Sequence, residues 1–279
     1  MGHLALPVFL MLAVGINPVP GEETVRHNLM PAPAEISLGG EGELVIDATF
    51  RVEFTGHEEP RLERAAGRLL RRIAAQTGFI FLPDSEIEGA GTVLYIQVAG
   101  AGEEVQSLTE DESYRLEINA EGAFIYASAS VGALRGIETF LQLIEPGARG
   151  FAVPMVAIDD YPRFPWRGLL IDSCRHWMPP EVIVRTLEAM ATVKMNVLHW
   201  HLSEDQGFRV ESRLFPRLHR MGSDGNYYSQ ETIRDIVSFA RDLGIRVVPE
   251  FDMPGHTTSW LVGYPELASA PGPYRIGRE

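Results

Sequence analysis

The sequence predicts an α/β fold: a small α+β domain over residues 24–160, then the first part of a (β/α)8 barrel over residues 161–279, stopping after about three strands. Three observations predict it. Residues 24–160 hold strand-like and helix-like runs in no regular alternation. After a proline-rich connector, DDYPRFPWRG, short apolar runs alternate with amphipathic helical stretches, as parallel strands joined by right-handed crossovers require. Acids and histidines then recur just after each apolar run, at the strand end where α/β proteins bind ligands.

In the first domain, ELVIDATFRVEF (43–54) alternates well enough for one or two strands. Pro60 opens a helix whose Leu62, Ala66, Leu69 and Ile73 share one face, and Gly78 stops it. Arg64, Arg68, Arg71 and Arg72 are read as its solvated outer side. TVLYIQV (92–98) reads as a strand buried on both faces. SYRLEIN (113–119) and AFIYA (123–127) suit an antiparallel pair joined by Ala120–Glu121–Gly122. Ser130 is placed to cap a helix burying Leu134, Ile137, Leu141 and Ile144, closed by Glu145–Pro146–Gly147. His27 and His57 are isolated, and this domain shows no convergent chemistry.

In the second domain GLLID (168–172) has the composition of a buried strand. Pro179 and Pro180 suit a helix start, with Glu181 in the first turn and Ile183, Leu187 and Met190 at helical spacing. The next strand is Asn196–Trp200, its Val197, His199 and His201 on one side and Leu198 and Trp200 on the other. Ser229 caps a second helix that turns Ile233, Ile236, Val237 and Ala240 inward, Gly244 stops it, and IRVVPE (245–250) is the third strand. A complete barrel takes about 250 residues, so the chain reads as the front portion of a longer protein.

The bulk composition narrows the function. With 38 acidic against 24 basic residues the net charge is −14, which excludes nucleic acid and anionic membrane surfaces as natural partners and suits a neutral ligand such as a sugar. Cys174, the single cysteine, has neither a disulfide partner nor zinc-site spacing and reads as a small buried hydrophobe. Residues 1–23 resemble a secretory signal: the apolar core from Leu4 to Ile16 is shorter than the roughly 20 residues a spanning helix needs. No Lys or Arg precedes that core and no small-x-small cleavage site follows it. The expectation is a secreted or periplasmic protein without stable membrane insertion.

Chemistry-bearing groups follow each barrel strand: Asp172–His176 (DSCRH), His201–Asp205 (HLSED) and Glu250–His256 (EFDMPGH). Buried charge costs several kcal/mol unless paired, so three such groups at one end of three strands point to a site rather than to packing. One reading of them is a metal-dependent barrel hydrolase, with His199 and His201 completed by His256 and Asp252.

The motifs WRGLLIDSCRHWMP, NVLHWHLSEDQGFR, YYSQETIRDIV and PEFDMPGHTTSW, in this order, resemble family 20 glycoside hydrolases, the β-N-acetylhexosaminidases. That resemblance implies removal of terminal β-linked GlcNAc or GalNAc from an oligosaccharide or glycoconjugate, with retention of configuration. It implies substrate-assisted catalysis, in which the sugar's acetamido oxygen attacks the anomeric carbon and no protein nucleophile, metal or cofactor is used. By resemblance Arg167 binds hydroxyls of the terminal sugar, Glu204 and Asp205 are the acidic pair after HWHL, and His256 supports the acid/base. Glu204 stands where the family often has Asp, and Cys174 where it often has Ser. His176, His199, Trp200 and His201 are expected to pack or to support, and Glu250 and Asp252 to be structural partners near His256. The Asp–Glu pair that performs the chemistry is expected after a fourth strand, and Glu279, which follows Arg278, is not that pair. The chain alone is therefore expected to be inactive. A non-catalytic carbohydrate-binding relative is the other alternative.

Overall fold

The structure, a computed structural model, describes residues 27–81 and 91–277; the expected leader over 1–23 and the terminal Glu279 lie outside them. In chain order the first domain contains β1 (Glu35–Ile46), β2 (Arg51–Gly56), α1 (Pro60–Thr77), β3 (Val93–Gly100), β4 (Tyr114–Asn119), β5 (Gly122–Ala129), α2 (Ser130–Gln142), β6 (Glu145–Gly147) and β7 (Gly150–Asp160). Its sheet runs β1-β7-β4-β5-β3-β2, with β6 paired to β7. The β2–β3 and β3–β5 pairs are parallel and the others antiparallel.

Helices α1 and α2 cover one face of this sheet. Leu62, Leu69, Ile73, Ile137 and Phe140 meet Leu94, Ile96, Val98, Leu116 and Ile125 in one core. Burying each such side chain stabilises the fold by roughly 1.5–3 kcal/mol. α1 ends as its sequence predicts, with Gly78 in the left-handed conformation (φ 77°) and its N–H donating to Ala74 O.

Several expectations are corrected. β3 is not buried on both faces: Gln97 is exposed, and Tyr95 stacks on Phe124 at 5.1 Å on the open side of the sheet. β1 begins eight residues before the alternating run and holds a register shift between Leu38 and Glu43. Ser130 is the first residue of α2, whose N-cap is Ala129, and Glu145–Gly147 forms β6 instead of a turn. β7, a long strand between β1 and β4, has no counterpart in the sequence reading.

The second domain contains β8 (Gly168–Asp172), α3 (Pro180–Thr192), β9 (Val197–His201), β10 (Ser203–Glu204), β11 (Gly207–Phe208), α4 (Arg217–Gly222), α5 (Gln230–Asp242), β12 (Arg246–Glu250) and α6 (Thr258–Gly263). β8, β9 and β12 form a parallel sheet in the order β12-β9-β8, as the opening of a (β/α)8 barrel requires. α3 and α5 pack on its outer face, where Ile183, Leu187, Met190, Ile236 and Ala240 surround Leu198 and Trp200. Val237, expected inside, is 42% exposed. Ser229 caps α5, accepting from Thr232 N at 3.0 Å. Among the described residues no helix is long and apolar enough to cross a membrane.

Charged side chains join the two domains. Arg71 of α1 is exposed as expected, but Arg64, Arg68 and Arg72 are not simply solvated. Arg64 grips Asp242 at the end of α5 through two bonds of 2.5 and 2.7 Å and Arg68 donates to Asp242 O, while Arg72 pairs with Glu138 of α2 within the first domain. Deeper in, the buried Glu112 accepts from Arg135 Nε at 2.7 Å, Arg167 Nη2 at 2.5 Å and Asn196 Nδ2 at 3.0 Å. These contacts fix the amino ends of β8 and β9 against the mixed sheet and leave the carboxyl ends free.

Candidate active site

The carboxyl ends of β8, β9 and β12 bring Asp172, His201 and Glu250 into one row, because the parallel register sets Asp172 and Glu250 on either side of His201. His201 Nδ1 lies 2.7 Å and His199 Nε2 2.9 Å from the same oxygen, Glu250 Oε2. Residues two apart on a strand share a face, so both imidazoles turn onto the one carboxylate. Hydrogen bonding by His201 first, then the neighbouring histidines' charge, holds the Glu250 carboxyl below its ordinary pKa. His199 and His201 thus do not gather with His256 and Asp252, the set that a metal-dependent hydrolase reading needed.

Beyond β9 the chain makes the small β10–β11 hairpin, which buries Glu204. A buried carboxylate needs partners, and Glu204 has three: His256 Nδ1 at 2.6 Å from Oε1, Arg175 Nη2 on the same oxygen, and the backbone N–H of Asp205 on Oε2. Ser259 Oγ donates to Glu204 O at 2.5 Å, tying the hairpin to α6. His256 arrives from the loop after β12 with a positive φ of 55°, uncommon for a residue with a side chain. Its acidic partner is therefore Glu204, and not Glu250 or Asp252; Asp252 N bonds Ser203 Oγ instead.

Asp205 sits at the hairpin turn and accepts from Thr258 N at 2.9 Å. Thr258's hydrogen bonding, helped by the charges of His256 and Arg175, holds its carboxyl below the ordinary range against the opposing effect of burial. Asp172 is lowered too. Burial alone would raise it, but the backbone amides of Arg175 and Cys174 and the Arg175 guanidinium outweigh that.

Of the residues expected to share this rim, Glu204, Asp205 and His256 come together and Arg167 does not. Arg167 precedes β8 and lies at the opposite end of the strand. Besides Glu112 it donates to Lys194 O and Phe164 O, each at 2.8 Å, and its backbone N–H bonds Asn196 Oδ1. Its bond to Glu112 reaches the first domain, and the others hold the base of β8 and β9. The arginine at the rim is Arg175, which sequence reasoning missed. It follows β8, is 45% exposed, and is anchored between Asp172 and Glu204 with surface left over for a ligand. Its position after the strand was the available signal. His176 is exposed rather than packed, while Trp200 is fully buried, its Nε1–H donating to Ser173 Oγ at 2.9 Å. Arg209, also buried, donates to the carbonyls of Ser173, Cys174, Gln206, Ser223 and Asn226 and so pins the loops after β8 and β9 to each other.

The arrangement can do two things chemically. A carboxylate against Nδ1 fixes the orientation of the His256 ring, so its other nitrogen is aimed to support a neighbouring acid. Arg175, immobilised by two carboxylates, offers directed N–H donors to hydroxyl oxygens.

The chain is similar to known proteins. The sequence matches "Glycosyl hydrolase family 20, domain 2" over residues 26–161 and "Glycosyl hydrolase family 20, catalytic domain" over residues 164–276. It is 33% identical to beta-hexosaminidase subunit A1 of Dictyostelium discoideum, over 94% of this chain and 48% of that protein. It is 45% identical to the human beta-hexosaminidase subunit beta, over 58% of this chain and 30% of that one. Among solved structures, a Flavobacterium johnsoniae chitobiase superposes with a TM-score of 0.82 at 40% identity, covering 90% of this chain and 38% of that one. A Vibrio harveyi exo beta-N-acetylglucosaminidase in complex with N-acetylglucosamine gives 0.70 at 26% identity, covering 86% and 38%. The chain spans less than half the length of each of these relatives.

Proposed function

Because this chain belongs to glycosyl hydrolase family 20, we propose that its protein is an exo-acting β-N-acetylhexosaminidase, for which the chain supplies the interdomain base and one wall of the sugar site. The reaction is hydrolysis of terminal β-linked GlcNAc or GalNAc with retention, the substrate's acetamido oxygen acting as nucleophile. Arg175 binds hydroxyls of the terminal sugar. Glu204 orients His256, and His256 supports the general acid/base. Asp205 fixes the loop that carries His256 by holding Thr258 N. The natural partner is an amino-sugar oligosaccharide or glycoconjugate, and the protein is exported.

The observation that carries this reading is the His256–Glu204–Arg175 cluster at the carboxyl ends of the parallel strands. The test uses the protein expressed from its complete reading frame, 4-nitrophenyl N-acetyl-β-glucosaminide as substrate, and NMR of the first-formed anomer. The expected outcome is release of the β-anomer, with His256→Ala lowering kcat by about 100-fold, the lower bound for impaired general acid–base catalysis. No hydrolysis, an α-anomer first, or a wild-type rate in His256→Ala refutes it. Export is checked by sequencing the amino terminus of the protein recovered outside the cytoplasm; an intact Met1 there, or no exported protein, counts against it.

A further inference from the structure

One buried group near the rim has no part in this chemistry. With His201 Nδ1 engaged by Glu250, the nitrogen left for another partner is Nε2. The side chain is 7% exposed, and among the described residues Nε2 has no hydrogen-bond partner. A lone pair left bare in the interior costs about 1–3 kcal/mol, so it asks for an explanation. The surroundings supply one. A ring nitrogen of His201, the sulfur of Cys174 and a carboxylate oxygen of Asp172 lie within 4.8 Å of one another. The fold builds this triangle: Asp172 is the register partner of His201, and the turn after β8 returns Cys174 so that Sγ is 3.3 Å from His201 O.

Thiolate, imidazole and carboxylate are the donors of zinc-type sites. A histidine that ligates through one nitrogen commonly gives its other N–H to a carboxylate, the place Glu250 holds here. We propose that Asp172, Cys174 and His201 form a binding site for one thiophilic d10 cation, Zn2+ or Cd2+, with Glu250 as the outer carboxylate that orients His201. Metal–ligand bonds of about 2.0–2.3 Å bring tetrahedral ligand atoms to roughly 3.3–3.8 Å from one another, so the triangle, whose atoms lie within 4.8 Å, contracts by at most about 1.5 Å. Cys174 gives up its contact to the His201 carbonyl and loses its thiol proton to solvent as the sulfur–metal bond forms. Asp172 Oδ2 accepts one bond, from Arg175 Nη1, and keeps a lone pair for the metal. The fourth position is left to water.

Cys174 is the single cysteine, so a thiolate–metal signal reports this site alone. The other cluster of potential ligands among the described residues, Glu204, Asp205 and His256, contains no sulfur. The experiment titrates reduced, chelator-stripped protein with Cd2+ alone, following ultraviolet thiolate-to-cadmium absorption and, by equilibrium dialysis, stoichiometry. The expected result is absorption that saturates at one Cd2+ per chain. Cys174→Ser, shown by its melt to be folded, loses the absorption and binds at least tenfold more weakly. Glu250→Gln keeps the absorption with affinity reduced at least tenfold. Binding without the absorption, or affinity unchanged in Cys174→Ser, puts the metal elsewhere and overturns the proposal. Absorption with affinity unchanged in both Asp172→Asn and Glu250→Gln shows a lone thiol and overturns it equally.

Discussion

Glu112→Ala is the most direct probe of how the two domains are held. The Glu112 side chain is 6% exposed, and its carboxylate serves two guanidiniums, Arg135 at 3% and Arg167 at 15% exposure, together with the Asn196 amide. Removing one member of a buried ion pair costs about 3–5 kcal/mol, because the other charge stays behind without its counter-ion. Here Arg135 keeps the Leu243 and Gly244 carbonyls, and Arg167 keeps those of Lys194 and Phe164. These partners place the expected loss at the low end, about 3 kcal/mol. For a chain of this size that lowers Tm by about 6–12 °C.

The pH dependence follows from the same contacts. Burial alone would raise the Glu112 carboxyl, but Arg135 and Arg167 outweigh it and hold the carboxyl below its ordinary value of 4.5. A folded pKa below the unfolded one means the unfolded chain binds more protons in that window, so this contribution is complete above 4.5 and lost as pH falls through the folded value. Thermal melts of wild type and Glu112→Ala across pH should therefore show a constant gap near neutrality that closes on the acid side of 4.5. A variant within about 0.5 kcal/mol of wild type at neutral pH, the scatter of surface substitutions, refutes the reasoning. A gap that widens in acid refutes it as well.

Arg167→Met removes three side-chain bonds, one of them across the domain contact, and should cost about 3–5 kcal/mol of stability while leaving KM for the 4-nitrophenyl glycoside unchanged; a raised KM at wild-type stability would return Arg167 to the sugar site. Arg175→Ala should do the reverse: hydrogen bonds from a charged donor are worth about 1.5–3 kcal/mol, so kcat/KM should drop at least tenfold, and steady-state kinetics with wild-type values would remove Arg175 from the site. Ser229→Ala should cost about 1 kcal/mol by urea denaturation, since it removes the cap of α5; no loss would show that Thr232 N finds another acceptor.

What the sequence disclosed and what it hid divide along one line, local signals against long-range partners. Parallel strands are short continuous apolar runs, so β8, β9 and β12 were legible as strands; burial was legible for β9 alone, since Leu169 and Leu170 of β8 are exposed and β12 is only partly covered. Helices α1 and α5 were legible too, because their stop glycine and cap serine act within one helical turn. β7 was not, because Pro154 and the terminal Asp159–Asp160 break its apolar pattern. What makes it a strand is pairing with β1 and β4, far away in sequence. Arg64 and Arg68 of α1 were misread for the same reason, since Asp242 is 178 residues from Arg64. Helical spacing reveals which side chains share a face but not what that face meets.

Arg167 and Arg175 show the difference most sharply, because there the signal was local and sufficient. Both flank β8, one just before it and one just after. A parallel strand has a base, where the preceding helix delivers the chain, and a rim, where the next loop departs. Arg175 falls within DSCRH, which with HLSED and EFDMPGH makes up the rim, and Arg167 falls at the base. The structure places each there: Arg175 on Asp172 and Glu204, Arg167 on Glu112. The two arginines then have opposite requirements. Arg167 is largely desolvated and held at all three of its nitrogens to join two domains, and these bonds stay inside the protein. Arg175 must be held from behind and left 45% exposed in front, since a guanidinium with every donor satisfied internally has none to offer a sugar hydroxyl.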